Sequence, residues 1–323
     1  MRLAIAGCGV VGRKRAGSLG RHRLVACADV APELARQLAA EQSCEAMASA
    51  AELVAREDVE AVLVCTTNDA LAPLALAAVE AGKHVLVEKP GARSLEELLP
   101  VRAAALRMNR IVKVGFNHRF HPGLSQAHEL FAQGAVGELM YIRGRYGHGG
   151  RLGYEQEWRA SKERAGGGEL LDQGSHLIDL ARWFAGDFDD VSGHVATCFW
   201  PMPVEDNAFM SLRATDGAVA WLHASWTEWK NLFSFEVFGR TGKLQVDGLG
   251  GSYGPEQLTY YRMLPQMGPP ETSVFNYPKE DTSWEAEIEH FASCIEHGTK
   301  PSGSLDDGIA ALAVIAKLYA GQP

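Results

Sequence analysis

The chain has no surplus of positive charge: 31 Lys and Arg stand against 40 Asp and Glu in 323 residues, a formal net charge of -9. Without an overall positive field to gather nucleic acid or anionic lipid, neither is expected as a partner. There is also no apolar run near the roughly 20 residues that span a bilayer. The Ala-rich stretch Ala70 to Ala81 is broken by Pro73 and Glu80. The opening residues, MRLAIAGCGVVGRK, pass from apolar to glycine-rich without the charged-then-apolar pattern of an export leader, so a cytoplasmic location is expected. Cysteines are few and scattered. Cys8, Cys27, Cys44, Cys65, Cys198 and Cys294 form no C-x-x-C pair, which argues against a thiolate metal site and against a disulfide framework. Fixed-period repeats and low-complexity linkers are missing as well.

What is present suits a soluble globular protein: 46% hydrophobic and 22% charged residues are enough to build a real core. Because single cores rarely grow past roughly 250 to 300 residues, the length points to two domains. Through about residue 116, short apolar runs alternate with Ala-, Leu- and Glu-rich stretches, the pattern of a parallel sheet wrapped by helices. The expected strands are Leu3 to Ala6, Leu24 to Asp29, Ala61 to Thr66, His84 to Glu88 and Ile111 to Phe116. Helices are expected over Ala31 to Gln42, Ala70 to Ala81 and Leu95 to Met108. Beyond residue 120 the pattern changes. Helical segments at Gly123 to Gln133 and Glu169 to Phe184 flank a strand at Leu139 to Tyr146, and from Val191 to about Tyr277 strands follow one another without helices between them. Gly239-Arg240-Thr241-Gly242 reads as a hairpin turn. Closely spaced strands of this kind imply an antiparallel sheet, so the second half is α+β. Helices resume at Ser283 to His297 and Leu305 to Tyr319. The boundary is placed at Pro122-Gly123 or just before, giving domains 1–120 and 121–323.

Two segments carry chemistry. Gly7-Cys8-Gly9-Val10-Val11-Gly12 follows an expected strand and opens an expected helix. In that context the glycines allow a tight turn, a close approach of pyrophosphate to the backbone, and close packing of helix on strand. Asp29 closes the second strand 17 residues past Gly12, where an acid accepts hydrogen bonds from the adenosine ribose and repels a 2'-phosphate. NAD is therefore expected over NADP. Strand ends Thr66-Thr67-Asn68 and Glu88-Lys89-Pro90 should lie on the same carboxyl edge, with Lys89 toward the reactive end of the cofactor; a lysine merely paired with Glu88 is the bland alternative. In the second half, GGGELLDQGSHLID (166–179) spaces Asp172 and His176 by four residues, one turn apart on one helical face. An imidazole beside a carboxylate suits proton transfer near neutral pH, although such pairs are also common as plain structural pairs. Two ligands are too few to favour a metal, and none is expected. Asp179 and Trp183 are expected only to pack or cap.

Together GCGVVG with Asp29, AGKHVLVEKP (81–90), GFNHRFHP (115–122), GGGELLDQGSHLIDL (166–180) and EIEHFASCIEHGTKPSGSLDDG (287–308) resemble the Gfo/Idh/MocA family, which includes glucose-fructose oxidoreductase and inositol dehydrogenases. The resemblance implies a Rossmann domain followed by an α+β domain whose large open, mainly antiparallel sheet mediates assembly into a homodimer or homotetramer. It also implies that Lys89, Asp172 and His176 match the family's catalytic lysine, aspartate and histidine. Where relatives often read Thr-Pro-Asn-x-x-His, this chain has Thr66-Thr67-Asn68-Asp69-Ala70-Leu71, so that histidine is absent. The expected reaction is NAD-dependent oxidation of a secondary hydroxyl on a sugar, sugar derivative or cyclitol. His176 takes the hydroxyl proton and Lys89 steadies the reacting oxygen, while Asp172 orients His176 or binds a neighbouring hydroxyl. Arg119, Tyr146, Trp158 and Arg159 are the residues expected to line the substrate side; an arginine facing the substrate would favour an acidic or phosphorylated sugar. An NAD-dependent glycosidase and a non-catalytic NAD-binding regulator are the rival readings.

Overall fold

The computed structural model describes residues 1–278 and 280–322, and the chain divides into two compact units. The first is built from β1 (Arg2–Ala6), α1 (Val10–Gly17), β2 (Arg23–Ala28), α2 (Pro32–Gln42), β3 (Glu45–Ala46), α3 (Ala50–Ala55), β4 (Ala61–Val64), α4 (Asn68–Glu80), β5 (His84–Glu88), α5 (Leu95–Met108) and β6 (Val112–Gly115). Its six strands are all parallel, in the order β3-β2-β1-β4-β5-β6. The strand order reverses at β1, so the turns after β1 and β4 flank the switch point where open α/β sheets bind ligands. Strands β4 and β5 are buried almost throughout, as their continuous Val and Leu content requires when helices cover both faces.

A single cut near residue 120 does not describe this unit. Residues 163–166 and 284–309 also belong to it, which corrects the expected assignment of 121–323 to the second domain. The reason lies in the core. Helix α9 (Ser283–His297) contributes Ile288 and Phe291 to the apolar cluster that holds Leu3, Ile5, Leu63 and Leu86. It also supplies Glu287 to a buried charge network: Arg15 pairs with Glu88 at 2.6 Å and with Glu287 at 2.7 Å, and Lys113 pairs with Glu287 at 3.2 Å. Residues 163–166 are held by Asn68, whose amide donates to the Ala165 carbonyl at 2.9 Å, and by Arg93, which donates to the Glu163 carbonyl at 2.6 Å.

The second unit carries α6 (Pro122–Ala132), β7 (Leu139–Gly147), α8 (Glu169–Ala185) and the strands β8 (Phe188–Ala196), β9 (Asn207–Ala214), β10 (Val219–Ser225), β11 (Leu232–Gly239), β12 (Gly242–Asp247), β13 (Glu256–Arg262) and β14 (Glu271–Tyr277). The short helix α7 (Lys162–Ala165) precedes α8, and α10 (Leu305–Ala320) ends the chain. The eight strands form one sheet in the order β14-β13-β12-β11-β7-β10-β9-β8. All neighbours are antiparallel except β7 and β10, which run parallel because the chain crosses over through α8 between them. The expected hairpin is present, with Gly239 opposite Gly242. Alternating burial along β10, β11 and β12 places one face of the sheet against helices. Helix α8 lies on that face over Gly144, where an added Cβ would come within 3.1 Å of Leu177. Among the described residues, no helix is long and apolar enough to cross a membrane.

Candidate functional site

Parallel strands bring the expected cofactor residues to one edge of the first sheet. Gly7, with φ +97°, turns directly after β1, and a Cβ there would lie 2.5 Å from the Cys65 carbonyl oxygen. Gly12 packs α1 so close that a Cβ would sit 1.9 Å from the Gly7 oxygen. Gly9 is different: it occupies the N-cap of α1, no side chain caps the helix there, and a Cβ would meet nothing within 4 Å. The first N–H groups of a helix have no partner inside it, so this open end, flanked by Val10 and Val11, is shaped for an anion such as pyrophosphate. Asp29 follows β2, with Oδ2 accepting from the Cys8 N–H at 2.6 Å and Oδ1 from the Ala31 N–H at 2.8 Å. These bonds fix the carboxylate beside the glycine turn, and the donor set therefore fits NAD. Thr66 and Thr67 are half-buried in the turn between β4 and α4, and Lys89 is half-buried at the end of β5, joined to Pro90 by a cis peptide. Glu88 is placed otherwise. Its carboxylate is paired with Arg15 inside the unit, and the Asn68 amide donates to the Ala165 carbonyl.

In the second unit, α8 presents Asp172 and His176. Its start is fixed by Glu205, whose Oε1 accepts from the N–H groups of Gly168 at 3.0 Å and Leu170 at 3.1 Å and from the Tyr319 hydroxyl at 2.7 Å. An acid at a helix N-terminus is favourable both as a cap and against the helix dipole. Burial pushes the Glu205 carboxyl above the usual carboxylate range, while these donors pull it back. His176 is 4% exposed and stacks on His118, with ring centroids 3.8 Å apart at 23°. Tyr146 on β7 borders both rings, 5.1 Å from His118 and 6.1 Å from His176. Asp172 accepts from Arg159 Nε at 3.3 Å, and the Arg159 guanidinium lies over the Trp158 ring at 4.6 Å.

Of the four residues expected on the substrate side, Tyr146, Trp158 and Arg159 thus belong to the surroundings of Asp172 and His176. Arg119 is tied elsewhere. Its guanidinium donates to both oxygens of Asp179, at 2.8 and 2.6 Å, and is buried in the unit. Three phenols, Tyr146, Tyr154 and Tyr253, feel the charges of Asp172 and Glu169. Burial pushes the Tyr146 phenol well up, with Tyr253, Asp172 and Glu169 adding to it, and burial with Asp172 and Glu169 also raises Tyr154. Burial pushes Tyr253 up to about 12, against hydrogen bonds with Gln173 and Tyr146. All three are therefore neutral hydroxyl donors near pH 7. Among the described residues, no cluster of three or more His, Cys, Asp or Glu could hold a metal ion.

Comparison with known proteins decides the family. Residues 1–116 match the oxidoreductase family with an NAD-binding Rossmann fold, and residues 124–245 match the GFO/IDH/MocA C-terminal domain. The chain belongs to the Gfo/Idh/MocA family. Within that family it is 31% identical to a 1,5-anhydro-D-fructose reductase of Ensifer adhaerens over 277 residues, 83% of this chain and 79% of that protein. A levoglucosan dehydrogenase of Pseudarthrobacter phenanthrenivorans is 30% identical over 245 residues; the match spans 67% of this chain and 62% of that protein. A solved structure of a levoglucosan dehydrogenase with NADH and L-sorbose has the same fold, with a TM-score of 0.90 at 23% identity, covering 99% of this chain and 96% of that one.

For a Gfo/Idh/MocA member, three of the residues described above escaped sequence reasoning. His118 lies inside the GFNHRFHP run, where an unusual histidine pair (His118, His121) was the available signal. Tyr253 sits in the glycine-rich segment Gly248-Leu249-Gly250-Gly251-Ser252-Tyr253-Gly254, whose glycines were the available signal of a loop. Glu205 lies between strands with no local motif, 37 residues from the N–H it caps at Gly168.

Proposed function

We propose that the chain is an NAD-dependent dehydrogenase of uncharged sugars or cyclitols, oxidising a secondary hydroxyl to a ketone or running the reverse. The observation that carries the uncharged class is the pairing of both arginines of the second unit once expected to meet substrate: Arg119 with Asp179, and Arg159 with Asp172. With Asp172 and Glu169 both raising the phenols around them, an anionic substrate is disfavoured and hydroxyl groups are favoured.

When bound, NAD supplies the hydride acceptor. His176 takes the hydroxyl proton as general base and returns it in reduction. Lys89 donates a hydrogen bond to the reacting oxygen and steadies the charge that develops there, and Asp172 holds a neighbouring hydroxyl and the local charge balance. Tyr253, whose oxygen accepts from Tyr146 and from Gln173 Nε2, donates its own proton to a further hydroxyl. The names of several relatives support this substrate class, since levoglucosan, anhydrofructose and inositol are uncharged; another relative, a 1-carboxy-3-chloro-3,4-dihydroxycyclohexa-1,5-diene dehydrogenase, is named for a carboxylate, which is why charged compounds belong in the test. The outer face of the eight-stranded sheet, where Trp221 is 65% and Phe209 42% exposed, is assigned to assembly of a homodimer or homotetramer, which light scattering checks.

The test is purified protein with NAD and a panel pairing neutral with charged compounds: levoglucosan and myo-inositol against glucuronate, glucose 6-phosphate and a nucleotide sugar. Stoichiometric NADH from a neutral member, lost in H176N and K89A, is expected. Free sugar released from a glycoside without net NADH would instead establish the glycosidase reading, and faster turnover of a charged member would overturn the uncharged class.

A further inference from the structure

We infer that His118 is a positioning residue that fixes the ring plane of His176, an inference that rests on the reading of His176 as the proton-transferring base. The two rings are stacked, 3.8 Å between centroids and 23° from parallel, and both residues are buried, at 5% and 4% exposure. Rotation of an imidazole about its last torsion is only weakly restricted by the side chain itself, because that torsion joins sp³ to sp² carbon. A base that aims a ring nitrogen at a hydroxyl therefore needs an external wall, and a flat neighbour against its face is one.

His118 is in turn held from other sides. The Tyr146 ring from β7 tilts against it at 5.1 Å, the Phe233 ring from β11 meets it edge-on at 5.8 Å, and the His121 ring meets it edge-on at 5.4 Å. His121 is itself pinned, with Nδ1 3.1 Å from Glu256 Oε2, and Glu256 Oε1 accepts from the Gly123 N–H at 2.6 Å. The 3₁₀ turn Asn117–Phe120 that carries His118 is thus anchored to β13 immediately downstream. A catalytic side chain is held well when its neighbours are themselves held. Since the stack is face to face, its contribution is shape rather than proton transfer: any flat ring at position 118 serves, and an aliphatic side chain of similar bulk does not.

The experiment compares H118A, H118L and H118F with the wild type, using myo-inositol and levoglucosan as substrates and NADH binding as a check on the first unit. The expected result is a fall in kcat on the order of 10²-fold in H118A and H118L, the scale of a misplacement of about 1 Å. KM and NADH affinity should stay within about threefold, with most of kcat recovered in H118F. Equal loss in H118F and H118A, unchanged kcat in H118A, or a change confined to KM each overturns the inference. A second measurement needs neither turnover nor a folded variant at position 118: in wild-type protein labelled with ¹³C-histidine and saturated with NADH, the His176 ring proton signals, assigned through H176N, should be displaced upfield by the stacked ring. Signals at ordinary positions would overturn the stack itself. Failure of the base reading shows differently, as full activity in H176N.

Discussion

Glu287 is the most exposing place to perturb this molecule, because one carboxylate serves two buried cations. Arg15 Nη2 lies 2.7 Å from one of its oxygens and Lys113 Nζ 3.2 Å from the other, and the side chains of Glu287, Arg15 and Lys113 are all 0% exposed. At an effective dielectric of about 20, these contacts carry about 6 and about 5 kcal/mol of Coulomb attraction, from which several kcal/mol of desolvation must be subtracted. The net cost of neutralising one member of such a network is about 3–5 kcal/mol. In E287Q the shape is kept, so no cavity contributes. Arg15 keeps Glu88 and Lys113 keeps the Ser302 carbonyl, but the network passes from balanced to singly positive in a dry core. For a unit of about 150 residues each kcal/mol moves Tm by about 2–4 °C, so a fall of about 6–20 °C is expected by circular dichroism, insensitive to added salt. The control is E41Q, which breaks the exposed Arg13–Glu41 pair in the same unit and should cost under about 1 kcal/mol. Equal effects of the two substitutions, or a fall of less than about 2 °C in E287Q, would refute the reasoning.

D179N removes the partner of buried Arg119 and should cost about 3–5 kcal/mol in urea titrations that follow the second unit, while NADH affinity stays unchanged. Gly168→Ala drives a Cβ to 2.0 Å from the Glu205 carbonyl oxygen, so the start of α8 must shift; Tm and turnover should fall together, and an active, fully stable G168A would contradict the role given to Glu205. At Asp206, burial opposes the carboxylate, but N–H groups of Cys198, Trp200 and Phe199 and the Asn207 amide outweigh it and hold the group below the usual carboxylate range. Its stabilisation is therefore complete above the unfolded value of about 4 and is lost as pH falls through the lower folded value. D206N should cost about 1.5–3 kcal/mol at pH 7 and show a flatter urea midpoint between pH 5 and pH 3 than the wild type.

The readable parts of the fold are those where local sequence and tertiary environment agree. Strand β5 and helix α5 have the bounds the sequence predicts, because His84-Val-Leu-Val-Glu88 is nearly continuous in β-branched and apolar residues and α5 is rich in Leu, Ala and Glu. The missed elements lack that support. Strand β3 is two exposed residues and α3 is six residues long, while β14, within the run of strands expected to about Tyr277, is a mostly exposed edge strand whose sequence, ETSVFNY, has no buried face to fix its bounds. The parallel pairing of β7 with β10 joins residues about 80 apart, beyond any local pattern. The site divides in the same way. Asp172 and His176 share a helix and were legible from spacing, whereas Arg119 meets Asp179 across 60 residues of chain, and Glu88 meets Arg15 across 73. No sequence spacing reports that an arginine or a glutamate has already been claimed by a buried partner.

The two glycine motifs show how packing and binding separate within one signature. In the second, a Cβ at Gly166 would lie 2.6 Å from Arg93 Cβ, one at Gly167 2.0 Å from the Tyr319 hydroxyl, and one at Gly168 2.0 Å from the Glu205 oxygen. That run is a seam fixing where α8 begins and hence where Asp172 stands, rather than a phosphate cradle. In the first, Gly7 and Gly12 are packing glycines by the same measure, and among these six Gly9 alone faces open space. Gly9 also has φ -72°, a conformation any residue adopts, so the backbone gives no reason for glycine there. We propose that its reason is the volume a ligand occupies in front of α1. Gly9→Ala should then leave Tm unchanged and weaken NADH binding at least about tenfold, about 1.4 kcal/mol, in a fluorescence titration, whereas Gly12→Ala should lower Tm first. Unchanged NADH affinity in a fully stable G9A would place the pyrophosphate somewhere other than the open end of α1.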